Sequence, residues 1–444
     1  MSASTFKTLR TVSKRAINWA SVSDEAAVAS LTTKEVRGLR KCRRAVLGAV
    51  RRIENHRAAG RIEEMRRAES NYCDSRAVKI LAVLRAAHKK RRRLSWPKIR
   101  QIAGGLDLGK QCLEKRFIYM KPKDVGGKRP VCTFGIEATA RQYIAADLLK
   151  AKILGNPYEY AREGRGPKSI SIAIKGAIHE GYYYWIEADV VSCFASLKPG
   201  HFDDLPLPGA IKADILSNMH AIPGHNPDKL SIEDWKSIQA ARHSLPQGAA
   251  SSSPLASAFL GRVLRPLMVK AKVVLFTYSD NIIIGARSAE EAKAFASALR
   301  ESFLALPAGP LTIKIGACND ARYRADILGW RFKLRLFEDE FRVTMCPRQR
   351  SFYRFEKRLR CRVAEGGEDF EARGHDYAQS WAKSLQWKIA DYEQSPLWVT
   401  ASGVIGAEIQ RRAAVGTATL NAGTDGTAKA TEYSDDLDNE SPPW

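Results

Sequence analysis

Apolar residues recur at helical spacing through AVLGAVRRIENHRAAGRIEEMRRAE (45–69) and RAVKILAVLRAAHKKRRR (76–93). The spacing predicts helices over about 25–105, the last of them stopped by Trp96-Pro97. From about 115 the texture changes. RFIYMKP, RPVCTF, YYYWIEADVV, VVLFTY, IIIGA and ILGWRFKL read as strands, separated by helical stretches such as EATARQYIAADLLKAKIL and AEEAKAFASALRESFLAL. Strands interleaved with helices predict a mixed α/β or α+β core. Residues 345–395 return to basic helical patterns with several Trp and Tyr. The chain from about 412 is Ala/Thr/Gly-rich and ends TEYSDDLDNESPPW, which reads as a disordered acidic tail.

Charge sharpens the picture. The 444 residues have room for two or three domains and carry 72 Lys and Arg against 48 acids, a net charge of +24. The first hundred residues hold 26 of those cations and 8 acids, so +18 of the total lies there. Such a field points to a polyanion, nucleic acid before membrane. No apolar run of about 18 residues suggests a membrane span. Five successive cations, Lys89, Lys90, Arg91, Arg92 and Arg93, close the predicted helix. Capping accounts for part of this run, and phosphate binding is the expectation for the rest. The opening MSASTFKTLRTVSKRAINWA has the basic amphipathic look of a transit peptide but no apolar core of a secretory signal. The eight cysteines are scattered without a CxxC pair, which argues against a zinc module or a disulfide framework and for a reducing cytoplasm.

Three segments could carry chemistry. In KVVLFTYSDNIIIGA (272–286) two β-branched runs flank Tyr278-Ser279-Asp280-Asn281, a hairpin with a tight turn. A carboxylate at the tip of a buried hairpin is costly unless it meets positive charge. In Tyr184–Phe194 an apolar strand is interrupted by Glu187 and Asp189, which alternation puts on one face. A strand acid beside a hairpin acid suits divalent cations. In Leu245-Pro246-Gln247-Gly248 a turn leads through small residues into a helix, allowing close approach of a flat ligand and of phosphate. Read alone, the third segment is better explained as a plain loop and a Ser-rich cap.

The order of these segments, followed by Ile327-Leu328-Gly329-Trp330, closely resembles the reverse-transcriptase family. Upstream, Lys128-Arg129-Pro130-Val131 with Arg141-Gln142 looks like that family's fingers hairpin. Tyr160-Ala161-Arg162-Glu163-Gly164-Arg165-Gly166 looks like the segment before the first catalytic strand. The resemblance spans roughly 115–335. It implies a right-hand polymerase of the α+β class: a basic α-helical, RNA-binding N-terminal region (1–114), fingers and an antiparallel palm (115–335), a helical thumb (336–400) and a tail (401–444).

The resemblance also implies roles. Asp189, Asp280 and the Val190 carbonyl would hold Mg²⁺ or Mn²⁺, with Asn281 beside them. Phe194 would exclude a ribose 2′-hydroxyl, and Lys128 and Arg129 would grip the incoming triphosphate. Gln247 and Gly248 would line the nucleotide and template pocket, and Tyr278 would pack against the primer end. Lys314 would protonate the leaving pyrophosphate, although a solvated strand lysine fits that position as well. The partners would be dNTPs, a DNA product and an RNA template or non-coding RNA held by residues 89–93.

Some positions depart from the family pattern. Asn281 replaces the usual second Asp, Pro254 lies one position late, and Ala195 stands where intron-type enzymes carry an acid. No Cys/His endonuclease pattern follows the palm, so the likeness is to stand-alone bacterial enzymes, and antiviral defence is the role that analogy suggests. Two alternatives stay open: an RNA-dependent RNA polymerase, suggested by the Asp-Asn hairpin, and a non-catalytic RNA-binding scaffold of the same shape.

Overall fold

The computed structural model describes residues 32–123, 127–153, 156–161, 165–216, 218–226, 230–269, 271–365, 367–385 and 396–421. The transit-like start, Arg162, Glu163, Gly164 and the acidic chain end lie outside them.

Four helices open the described chain: α1 (Thr33–Ala58), α2 (Ile62–Asp74), α3 (Arg76–Lys89) and α4 (Trp96–Gly105). Thr32 and Glu35 form a reciprocal capping box that starts α1. Next come β1 (Phe117–Pro122), β2 (Lys128–Thr133), α5 (Ile136–Lys152), α6 (Pro167–His179), β3 (Tyr184–Val190) and the single turn α7 (Cys193–Ser196). Then follow α8 (Gly209–Leu216), β4 (Ile222–Pro223), α9 (Ile232–Arg242), α10 (Ser252–Met268), β5 (Val274–Tyr278), β6 (Asn281–Ala286) and α11 (Ala289–Leu304). The chain continues with β7 (Ile313–Ile315), β8 (Asn319–Asp320), β9 (Ala325–Ile327), β10 (Trp330–Phe337), β11 (Glu340–Pro347), α12 (Gln349–Ala364), α13 (Phe370–Leu385) and α14 (Pro396–Asn421).

The fold is of the α+β class. Its central sheet is antiparallel in the order β5-β6-β3-β7, with β8 also pairing β3. Strand alternation sorts its residues by face. Ile186, Ala188, Val190, Ile282 and Ile284 enter one core, while Trp185 and Ile283 enter another with Trp330 and Phe332. Both faces are covered, as the near-continuous apolar strands predict. A second sheet, β2-β1-β4, joins an antiparallel hairpin to a short parallel strand, and a third runs β11-β10-β9.

The basic helices do not stand apart. Leu39, Val46, Ile53, Leu81 and Leu84 belong to the same core as Ile144 and Leu148 of α5 and Ile186 of β3. Buried polar pairs reinforce that seam. Asp147 of α5 accepts from Arg85 of α3 at 2.7 Å and from the Tyr72 hydroxyl of α2 at 3.1 Å. Lys152 pairs with Glu69 in the same buried layer. With both partners present such pairs are tolerated, and losing one partner would strand a buried charge.

Two expectations about elements need correction. ILGWRFKL is not one strand: Leu328 (φ 48°) and Gly329 (φ 79°) form a two-residue turn between β9 and β10. Two successive positive φ values suit a hairpin turn, and only the glycine reveals it in sequence. The tail expected from 401 is helical to Asn421, and Ala401, Val404 and Ile405 are buried against α12 and α13. Small residues allow that docking. A Cβ at Gly374 would come within 3.0 Å of Ile405 and Val363.

Candidate active site

Asp189 lies near the end of β3, directly across from Asn281 on β6 and from Lys314 on β7. Tyr278 and Asn281 pair across the β5–β6 hairpin, leaving Ser279 and Asp280 as its two-residue tip. A positive φ at Ser279 (57°) and not at Asp280 is the pattern of a type II′ turn. The Asn281 amide donates to the Tyr278 carbonyl at 3.4 Å and helps to close that turn.

The electrostatics follow from this crowding. Partial burial, then the neighbouring Asp280 and Glu187 carboxylates, push Asp189 up to about 6, opposed by Lys314. Burial raises Asp280 as well. The thiol of Cys193, buried just beyond β3, is raised by burial and by the same two acids. Both ionised carboxylates are thus disfavoured. This is the condition a divalent cation relieves, so the pair fits a metal. No group of three or more His, Cys, Asp or Glu side chains suited to a metal occurs among the described residues. The site's two carboxylates are Asp189 and Asp280, and Val190 is the last residue of β3.

Glu187 shares the face of Asp189 but is engaged elsewhere. Its Oε2 accepts from Arg348 at 2.9 Å, and its Oε1 accepts the Leu328 N–H at 3.3 Å. It therefore ties the acid-bearing strand to the β9–β10 turn and to the start of α12.

The Pro-Gln-Gly turn docks on β2. The Gln247 carbonyl accepts the Cys132 N–H at 2.7 Å, and Gly248 takes φ 103°. A Cβ on Gly248 would come within 2.5 Å of the Cys132 carbonyl oxygen, so glycine is required there. Gln142, buried in α5, accepts the Ala250 N–H at 3.0 Å. Arg141 beside it is also buried and donates to the Lys110 and Asp107 carbonyls, both at 2.7 Å. The Leu245 N–H donates to Leu197 at 2.7 Å, bringing this turn beside the segment after Phe194, which is half-buried against the core.

The basic run divides between two tasks. Arg91 (φ 50°) and Arg92 donate backbone N–H groups to His88 and Ala87, forming a Schellman cap on α3. Lys89 reaches the Gly248 carbonyl at 2.9 Å, and burial and Lys90 lower its pKa. The side chains of Arg91, Arg92 and Arg93 are exposed beside it. Lys128 forms a 2.6 Å ion pair with Asp234 of α9, so that cation already has a carboxylate partner, while Arg129 is half-buried.

One acid escaped the sequence reading. Glu159, in the loop before α6, is 4% exposed and accepts the Ser279 N–H at the hairpin tip at 3.2 Å. Its surroundings, NPYEYA, carry no periodic signal, and the only clue is an acid in an otherwise apolar and turn-forming stretch.

All eight cysteines are free thiols, and no helix among the described residues is long and apolar enough to cross a membrane. No protein-family model matches the chain, and no curated protein matches it.

Proposed function

We propose that this chain is a template-directed nucleotidyltransferase of the reverse-transcriptase kind. In this reading the β1–β2 hairpin and its neighbours act as fingers, the central sheet as palm, and α12–α14 as thumb. The observation that carries the reading is the crowding of two carboxylates, Asp189 near the end of β3 and Asp280 at the tip of the adjoining β5–β6 hairpin. Mg²⁺ or Mn²⁺ would supply Lewis-acid activation of the attacking hydroxyl and of the leaving oxygen. Asp189, Asp280 and the Val190 carbonyl would hold it.

The chain's own groups have separable tasks. The Gly248 turn, fixed on β2 and held by Lys89, offers close backbone approach to a base and its template partner. Arg129 would meet the triphosphate, and Lys314, across from Asp189, would donate a proton to the leaving pyrophosphate. The exposed cations Arg91, Arg92 and Arg93 follow closely on Lys89, which reaches the Gly248 turn, and suit the phosphates of an RNA strand. Antiviral defence is the role that the stand-alone bacterial likeness favours.

A second reading, synthesis of RNA, is favoured by the Asp280-Asn281 hairpin. Incorporation of labelled dNTPs and NTPs by wild type and Phe194→Ala separates the two. The first reading expects DNA product from wild type and a gain of ribonucleotide use of about tenfold in the variant. Preference for NTPs in wild type, unchanged in the variant, would favour the second.

A further inference from the structure

We propose that Glu159 is a positioning residue that fixes the hairpin tip carrying Asp280, an inference that rests on the nucleotidyl-transfer reading for its catalytic consequence. The Glu159 Oε1 accepts N–H groups from Ala161 at 2.6 Å and from Ser279 at 3.2 Å, and its Oε2 accepts the Thr277 hydroxyl at 3.3 Å. Two of these three donors, Thr277 and Ser279, lie in the three residues that precede Asp280.

The loop that presents Glu159 is itself held. Tyr158 and Tyr160 bracket Thr277 with main-chain bonds of 2.7 and 2.8 Å, a parallel bridge beside the end of β5. The Asn156 amide donates to the Thr277 hydroxyl at 2.9 Å. Asn156 rests on α10 where Gly261 leaves room, since a Cβ there would come within 3.0 Å of its Cα. Arg165 lies over the Tyr160 ring at 4.7 Å and donates to the Pro157 and Glu159 carbonyls.

This bracing has a purpose that packing alone does not require. Ser279 adopts a left-handed backbone that costs a non-glycine residue about 1–2 kcal/mol. Its neighbour Asp280 carries a half-buried carboxylate-bearing side chain. A tip under both penalties stays in one conformation only if something outside the hairpin holds it. Glu159 supplies that hold through the Ser279 N–H. A carboxylate suits the task because its two oxygens serve three donors. Glutamine would keep one oxygen for the two N–H groups. It would leave the Thr277 proton without an acceptor, because that hydroxyl already receives the Asn156 amide.

The test uses the full chain with Glu159→Ala, Glu159→Gln and the near-isosteric Thr277→Val. Steady-state nucleotide incorporation and hydrogen–deuterium exchange over 274–286 are measured together. Glu159→Ala is expected to lower kcat at least about tenfold with KM for nucleotide within about twofold, and to deprotect 278–281. Glu159→Gln is expected to recover kcat to within about threefold of wild type. Thr277→Val, which opens no cavity, is expected to deprotect the same residues by a smaller factor, and stands in should Glu159→Ala not fold. Equal losses in the alanine and glutamine variants, or unchanged exchange at the tip in either Glu159→Ala or Thr277→Val, would overturn the proposal. Absence of incorporation by wild type would defeat the nucleotidyl-transfer reading instead, and exchange at the tip would still decide the role of Glu159.

Discussion

Asp189 of β3 pairs with Asn281 of β6, and the amide of Asn281 reaches back to the Tyr278 carbonyl to close the turn that carries Asp280. Asn281 thus has a structural task beside the two acids. An amide there adds no third negative charge to a site whose carboxylates already resist ionisation. Asn281 is consistent with a working centre that depends on two acids.

The Asp189 carboxyl titrates near 6 in the fold, above its ordinary 3.8. A raised carboxylate leaves stability unaffected below its unfolded value and subtracts from it as pH rises through the folded value. Without divalent cations, Asp189→Asn should therefore match wild type at pH near 4. At pH near 8 it should exceed wild type by about 1–2 kcal/mol, a figure reduced for the partial exposure of the group. Urea unfolding at the two pH values measures this. An equal gain at both would show that charge crowding is not the cause.

Gly248 combines φ 103° with a neighbour that leaves no room for a Cβ. Gly248→Ala should destabilise the fold by about 1–3 kcal/mol and shift the turn away from β2 and Lys89. Denaturation midpoints report the first effect. Nucleotide KM reports the second and should rise more than kcat falls.

Glu187 and Arg348 couple β3 to the segment leading into α12. Because both side chains are partly exposed, a double-mutant cycle of Glu187→Gln and Arg348→Ala should give about 0.5–1 kcal/mol of coupling. Glu187→Ala should cost more than Glu187→Gln, since only the glutamine can still accept the Leu328 N–H. Equal costs would remove Glu187 from any part in holding that turn.

The central strands, the hairpin and the helices were legible in the sequence because each repeats a pattern: alternation around Glu187 and Asp189, paired β-branched runs around Tyr278–Asn281, and helical spacing through α3 and α5. The features that escaped depend on partners distant in sequence. Leu328 takes a left-handed conformation beside the distant Glu187, and no local propensity announces a leucine there. Glu159 acquires its role only where β5 arrives beside it. The residues around Val404 and Ile405 fall in the stretch from 401 expected to be tail, yet they pack closely where Gly374 leaves room. The basic run read as a phosphate site, and its backbone also serves as a Schellman cap whose Arg91 gives no glycine signal.

The central claim is that Asp189 and Asp280 support metal-dependent nucleotidyl transfer. The most direct measurement is incorporation of labelled dNTPs by the purified protein with its co-purifying RNA, with Mg²⁺ or Mn²⁺ added, comparing wild type, Asp189→Ala and Asn281→Asp. The account predicts DNA product from wild type, none from Asp189→Ala, and measurable product from Asn281→Asp. No incorporation by wild type with either metal, and none restored by Asn281→Asp, would contradict it and leave an RNA-binding scaffold as the better reading.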